Sequence, residues 1–169
     1  MSVPVGGAVV DVGDIASAQA ASNLKPCCRL LQTGAAPSLV SGTQTHMTWD
    51  TEDYDYGGLH VAGAANVVVT RAGIWECNFT LHLPGRTDYS TLGIVIQRNG
   101  VNQAPFMRQP PTAAGIARTV GPVIVKLLCA VGDTLTADAL QQNAAAATVV
   151  PPFGSSFESA FEVQFIRDA

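Results

Sequence analysis

The chain has 169 residues, 47% of them hydrophobic and 13% charged, enough for one domain with a full core but carrying about half the ~25% charge of an average globular protein. So little charge implies a surface largely covered by other chains, since monomers seldom expose large apolar patches. A net charge of −4, with nine scattered Lys and Arg, excludes nucleic acid as a partner, and no run reaches the ~18–20 apolar residues of a membrane span.

Residues 1–25 differ from the rest of the chain. They are small, nearly uncharged and rich in Gly, Ala, Ser and Val, with Pro4 and the Gly6-Gly7 pair. Such a segment cannot build a core alone. It reads as an attachment arm whose apolar side chains, Val3, Val5, Val9, Val10 and Ile15, meet a partner surface. Asp14 is placed to cap a short helix over 15–21. The start lacks the basic residues of a secretory signal, and Asp11 and Asp14 break its apolar run. Adjacent Cys27 and Cys28, with Cys77 and Cys129 in apolar strands, read as free thiols of a reducing cytoplasm rather than a disulfide framework.

From residue 26 to 169 the pattern is short strands and turns. Strands are predicted over 29–32, 44–49, 65–70, 74–83, 92–98, 119–130, 134–141 and 157–166. Turn signals separate them at Gly57-Gly58, Ala72-Gly73, Pro84-Gly85, Asn99-Gly100, Gly132-Asp133 and Pro151-Pro152. The run 74–83 alternates strictly. Trp75, Cys77, Phe79, Leu81 and Leu83 share one face, opposite Glu76, Asn78, Thr80 and His82. In the closing strand Phe161, Val163 and Phe165 oppose Glu162 and Gln164. Many short strands without a long helix predict an all-β sandwich of the jelly-roll type, with Trp75, Phe79, Phe161 and Phe165 in its core. The run 144–147 is expected in a loop.

Three strands break the alternation. Val67-Val68-Val69, Ile94-Val95-Ile96 and Val123-Ile124-Val125 are apolar on both faces. A sandwich needs one apolar face per strand, so the second face, at Val68 and Val95 for example, is expected where copies of the chain pack.

Candidate chemistry is sparse. Residues 50–55 hold Asp50, Glu52, Asp53 and Asp55, and hard cations such as calcium take clustered carboxylates. The EF-hand spacing fails, because counting from Asp53 places Gly57 fifth and Ala64 twelfth. A solvated acidic turn is expected, with Asp50, Asp53 and Asp55 as the metal candidates if calcium binds. His46, His60 and His82 lie at none of the HxxxH or HExxH spacings, and no Gly-x-Ser-x-Gly elbow is present. Neither a catalytic residue nor a cofactor site is expected. The sequon Asn78-Phe79-Thr80 falls mid-strand and is read as chance.

The order of several motifs carries a resemblance. Tyr54-Asp55 with His60, then 72–79 (AGIWECNF), Arg98-Asn99-Gly100, Leu128 with 131–135 (VGDTL) and the aromatic last strand together resemble the globular head of complement-type collagenous proteins. That head shares its jelly roll with tumour necrosis factor. The resemblance spans residues 43–166 and implies a homotrimer; some members of the family bind calcium. Trp75, the acidic turn and the His after it most resemble versions encoded by tailed bacteriophages, where the domains are virion components. No collagen-like Gly-X-Y stalk precedes the domain here.

The resemblance leads to the expectation of a structural, non-enzymatic virion protein made in the bacterial host cytoplasm. It is a trimeric jelly roll decorating the capsid surface, held to the major capsid protein or another virion protein by its arm. Its shortness and lack of a stalk favour the capsid over the tail. The alternative is a receptor-binding tip of a tail fibre, with loops around 85–89 and 103–114 contacting a host surface glycan. An enzyme of cupin type lacks its His/Glu metal signature.

Overall fold

Alternating side chains produce a strand with one apolar face, and among the described residues ten extended segments make up the regular structure. The computed structural model describes residues 25–33, 37–83, 89–103, 118–144 and 158–169. The first half supplies β1 (Cys27–Gln32), β2 (Gln44–His46), β3 (Thr51–Tyr56), β4 (Asn66–Val68) and β5 (Gly73–Leu83). The second supplies β6 (Tyr89–Arg98), β7 (Val101–Asn102), β8 (Arg118–Cys129), β9 (Thr134–Asn143) and β10 (Ser159–Arg167). The five arm residues Val3, Val5, Val9, Val10 and Ile15 lie outside the described residues. So do the cap at Asp14, the run 145–147 and most of both loops assigned to glycan contact.

Two antiparallel sheets face each other. One runs β3-β1-β10-β5-β8 and the other β2-β9-β6-β7, with β4 also pairing β9. This is the all-β jelly-roll sandwich that the sequence implied. The Asn99-Gly100 pair closes the β6–β7 hairpin, with Asn99 at φ 51° and Gly100 at φ 76°, the positive backbone angles that a two-residue hairpin loop demands.

The core fills the space between the sheets. Along β5, Trp75, Cys77, Phe79, Leu81 and Leu83 are all fully buried, while the residues between them are half-buried. Trp49 stacks on Phe161 with centroids 5.9 Å apart and meets Phe79 edge-on at 5.9 Å. Trp75 meets Phe165 edge-on at 5.5 Å, and Arg71 covers the outer ring face at 4.5 Å. The four core positions named from the sequence, Trp75, Phe79, Phe161 and Phe165, are all buried here. Trp49 belongs with them. Gly73 enters β5 at φ 148°, where a Cβ would collide with the Arg167 carbonyl and the Phe165 ring.

Two expectations need correction. Residues 51–56 are not a turn but an edge strand, β3, paired with β1. Acidic residues have low strand propensity, which hid it. Charge on an outermost strand is tolerated because one edge faces water, and it discourages pairing with other chains. A register shift opposite Arg29 and Leu30 leaves Asp53 unpaired in the ladder. The second correction concerns the doubly apolar strands. Val95 is 1% exposed within the single chain, on the outward face opposite Asp138, so it is no free contact. Val68 is 38% exposed and Ile124 58%, each on the outward side of its strand.

Candidate interaction surface

The outward face of the β3-β1-β10-β5-β8 sheet collects most of the side chains that sequence reasoning left unexplained. Opposed residues in a ladder share a face, so the register writes two rows across the sheet. One is Tyr54, Arg29, Glu162, Asn78 and Ile124. The next is Tyr56, Cys27, Gln164, Glu76 and Lys126. Beyond them Ile74 lies opposite Leu128.

The middle of this face is a polar belt. Tyr54 Oη donates to Glu162 Oε1 at 3.1 Å, and Asn78 Nδ2 reaches Glu162 Oε2 at 3.5 Å. Gln164 Nε2 donates to Glu76 Oε1 at 2.8 Å, and Lys126 Nζ lies 3.5 Å from Glu76 Oε2. Arg29 pairs instead with Asp53 at 2.9 Å. Burial and the neighbouring Glu162 carboxylate push the Tyr54 hydroxyl up to about 12. Asn78 Oδ1 is buried and finds no hydrogen-bond partner among the described residues. Two depressions adjoin it: one of about 90 Å³ lined by Tyr54, Glu76, Asn78, Glu162 and Gln164, the other of about 160 Å³ lined by Arg29, Asn78, Thr80, Ala160 and Glu162.

The margins of the same face are apolar and open. Ile124 and Leu128 on β8 are 58% and 56% exposed, and Tyr56 at the opposite edge stacks on Tyr54 at 5.7 Å. β8 is 12 residues long and is hydrogen-bonded only to β5 among the described residues. A long apolar edge left open invites another chain. Ile124 was legible as part of a doubly apolar triplet. Leu128 lies in a continuous apolar run whose facing no periodicity reveals.

The outward face of the other sheet is different in kind. Asp138 is buried and holds Gln44 Nε2 at 2.6 Å and His46 Nδ1 at 2.7 Å. Gln97 Nε2 and Gln44 Nε2 both reach Asn102 Oδ1, at 2.8 and 3.4 Å. These polar groups satisfy one another.

The three metal candidates do not converge. Asp50 accepts from the Thr33 backbone at 2.8 Å, Asp53 pairs with Arg29, and Asp55 accepts the backbone N–H groups of Leu59 and His60, each at 3.0 Å. Among the described residues no three His, Cys, Asp or Glu side chains form a metal-holding group. The acidic segment and His60 act as a brace. The buried His60 ring places Nδ1 2.8 Å from Glu52 Oε1 and Nε2 3.1 Å from the Ala64 carbonyl, which pins residues 57–64 against the sandwich. His82 stays on the polar face of β5, with Thr119 Oγ1 3.0 Å from its Nδ1, and burial holds its pKa below the ordinary value. All four cysteines are free thiols, and burial pushes Cys28 and Cys77 far up, away from a reactive thiolate.

No protein-family model matches this chain, and no curated protein matches it. Solved structures do. The globular domain of zebrafish complement 1qA protein superposes with a TM-score of 0.59 at 12% identity, covering 86% of this chain and 100% of that one. Murine APRIL gives 0.56 at 15% identity, covering 84% and 100%. Eiger TNF from S. frugiperda gives 0.57 at 12% identity, covering 86% and 94%. At such identities the likeness establishes the fold, a complement-head and tumour-necrosis-factor jelly roll.

Proposed function

We propose that this chain is a non-enzymatic structural protein of a tailed-bacteriophage virion: a homotrimeric jelly roll decorating the capsid surface and held there by residues 1–25. The observation that carries the trimer is the open apolar margin on β8, where Ile124 and Leu128 stand more than half exposed although the sandwich core is already complete. Each fully buried aliphatic side chain contributes about 1.5–3 kcal/mol, so covering both in every copy is a substantial driving force. Gln164 and Glu76 in the centre of the same face already bond each other at 2.8 Å, so a second chain that covers this pair leaves their mutual hydrogen bond intact.

The virion assignment rests on the sequence. Trp75, the acidic segment and His60 follow the phage-encoded versions of the domain. The arm, with almost no charge and several valines, suits burial against another protein such as the major capsid protein. Decoration then works by adding interface area that bridges neighbouring shell subunits and holds them against internal pressure. It requires no cofactor.

Sedimentation equilibrium of the full chain at micromolar concentration tests the assembly, and a mass of one protomer throughout would refute it. Particle binding tests the site. The chain lacking residues 1–23 should stay folded and trimeric but no longer bind undecorated particles. Equal binding by the truncated chain would move the attachment from the arm to the jelly roll.

A further inference from the structure

We propose that a depression at one end of the sandwich is a docking site for the N-terminal arm of the same copy, filled by Val9 and Val10 in the free protein. The docking stands whether or not the arm later moves to a particle surface. The two ends of the sandwich differ in what leaves them. At one end β1, β5 and β9 begin while β3, β6, β8 and β10 finish, joined by short turns such as Asn99-Gly100 and 130–133. The stretches 34–36, 84–88, 104–117 and 145–157 all depart from the opposite end. Of the chain outside the described residues, only 1–24 leaves at the short-turn end.

The point of departure is tied down beside the depression. Lys25 Nζ donates to the Ile166 carbonyl at 2.8 Å, and the Phe165 N–H donates to the Pro26 carbonyl at 2.9 Å. Just beyond Ile166, Arg167 and Asp168 pack against Gly73. Gly73 lines an open depression of about 430 Å³, together with Ala72, Leu128, Ala130 and Arg98. That volume lies within the roughly 300–1,000 Å³ of ligand clefts. Only the end of β10 and the start of β5 separate it from Lys25, about two strand spacings or roughly 10 Å. Val10 is 15 residues from Lys25, and that length of extended chain spans about 50 Å, so reach is ample.

The chemistry of the two parts matches. The wall is mostly apolar, and its small side chains at Ala72, Gly73 and Ala130 leave room for branched aliphatic groups. Val9-Val10-Asp11-Val12 is the densest aliphatic run of the arm, whose only charged side chains are Asp11 and Asp14. Arg98 in the wall donates to the Leu128 carbonyl, and among the described residues no carboxylate forms an ion pair with it. With Val9 and Val10 seated, Asp11 is placed to supply that partner. Docking also takes the valines out of water, which a segment too small to form its own core cannot do alone.

Disulfide trapping in the full chain tests the contact. In a Cys27→Ser background, Val10→Cys is combined either with Ala130→Cys at the depression or with Thr43→Cys at the opposite end; both partner positions are exposed. Mild oxidation should link positions 10 and 130 within one chain, read by peptide mass spectrometry and by a single-chain band without reductant. The link from 10 to 43 should form at least about tenfold less. Hydrogen exchange gives a second reading without cysteines. In the chain carrying both Val9→Asp and Val10→Asp, exchange should rise at least about fivefold over 72–74 and 128–131 and stay unchanged over 94–97. Far-UV circular dichroism confirms that each variant is folded. No link to position 130, equal linking to both positions, a link formed only between chains, or unchanged exchange over 128–131 would overturn the docking. None of these results bears on particle binding, which the truncated chain tests separately.

Discussion

Replacing Phe79 by Ala tests whether the β5 alternation is the axis of the core. Phe79 is fully buried and opposes Phe161 on β10 and Val123 on β8. Its ring meets Trp49 edge-on at 5.9 Å and Phe161 at 6.3 Å. Truncating a buried phenylalanine costs roughly 3–5 kcal/mol, and each aromatic pair adds about 0.5–1.5 kcal/mol beyond the area lost. Two such pairs place Phe79→Ala near the upper end, about 4–5 kcal/mol. Thr80, the next residue, points outward and is half-buried; Thr80→Ala should cost under about 1 kcal/mol. The assay is urea unfolding of both variants at one fixed protomer concentration. With a slope of about 1–3 kcal/mol per molar urea, the Phe79 midpoint should fall by more than one molar while the Thr80 midpoint scarcely moves. Comparable losses at both positions would refute the reasoning, since they would mean that the strand is buried equally on its two faces.

Gly73→Ala should lose roughly 3 kcal/mol or more, read as a lowered thermal midpoint, because a Cβ there meets the Arg167 carbonyl and the Phe165 ring on a backbone at φ 148°. Asp55→Ala removes the acceptor of two backbone N–H groups and should cost roughly 2–4 kcal/mol, with amide exchange accelerating first at Leu59 and His60. Asp133 is held below the ordinary carboxylate value by hydrogen bonds from the Asn99 side chain and the Ala130 N–H. Its folded pKa lies below the unfolded one, so its stabilisation is complete above about pH 4 and disappears as pH falls through the folded value. Asn99→Ala should therefore flatten the acid limb of a stability-versus-pH curve, and an unchanged limb would show that Asp133 contributes nothing to it.

Much of this molecule was legible in its sequence, and the reason is local. Period-two alternation needs no partner to be read, so the strand over 74–83 and its inward Trp75, Cys77, Phe79, Leu81 and Leu83 were evident, as were the hairpin at Asn99-Gly100 and the aromatic last strand. What escaped depends on neighbours that lie far along the chain. The acidic run 51–56 became a strand because β1 offers it an open ladder, a circumstance that propensity does not contain. Trp49 entered the core because Phe79 and Phe161 come to it from two other strands. Val95 and Ile124 looked alike as the middle residues of apolar triplets, yet one is covered within its own chain and the other stands open on an edge strand. Tyr54, Asn78 and Glu162 are separated by 24 and 84 positions and meet only because β3, β1, β10 and β5 lie side by side in register. Side-chain facing comes from the order of residues, whereas adjacency across a sheet comes from strand order and register, which the whole buried core selects at once.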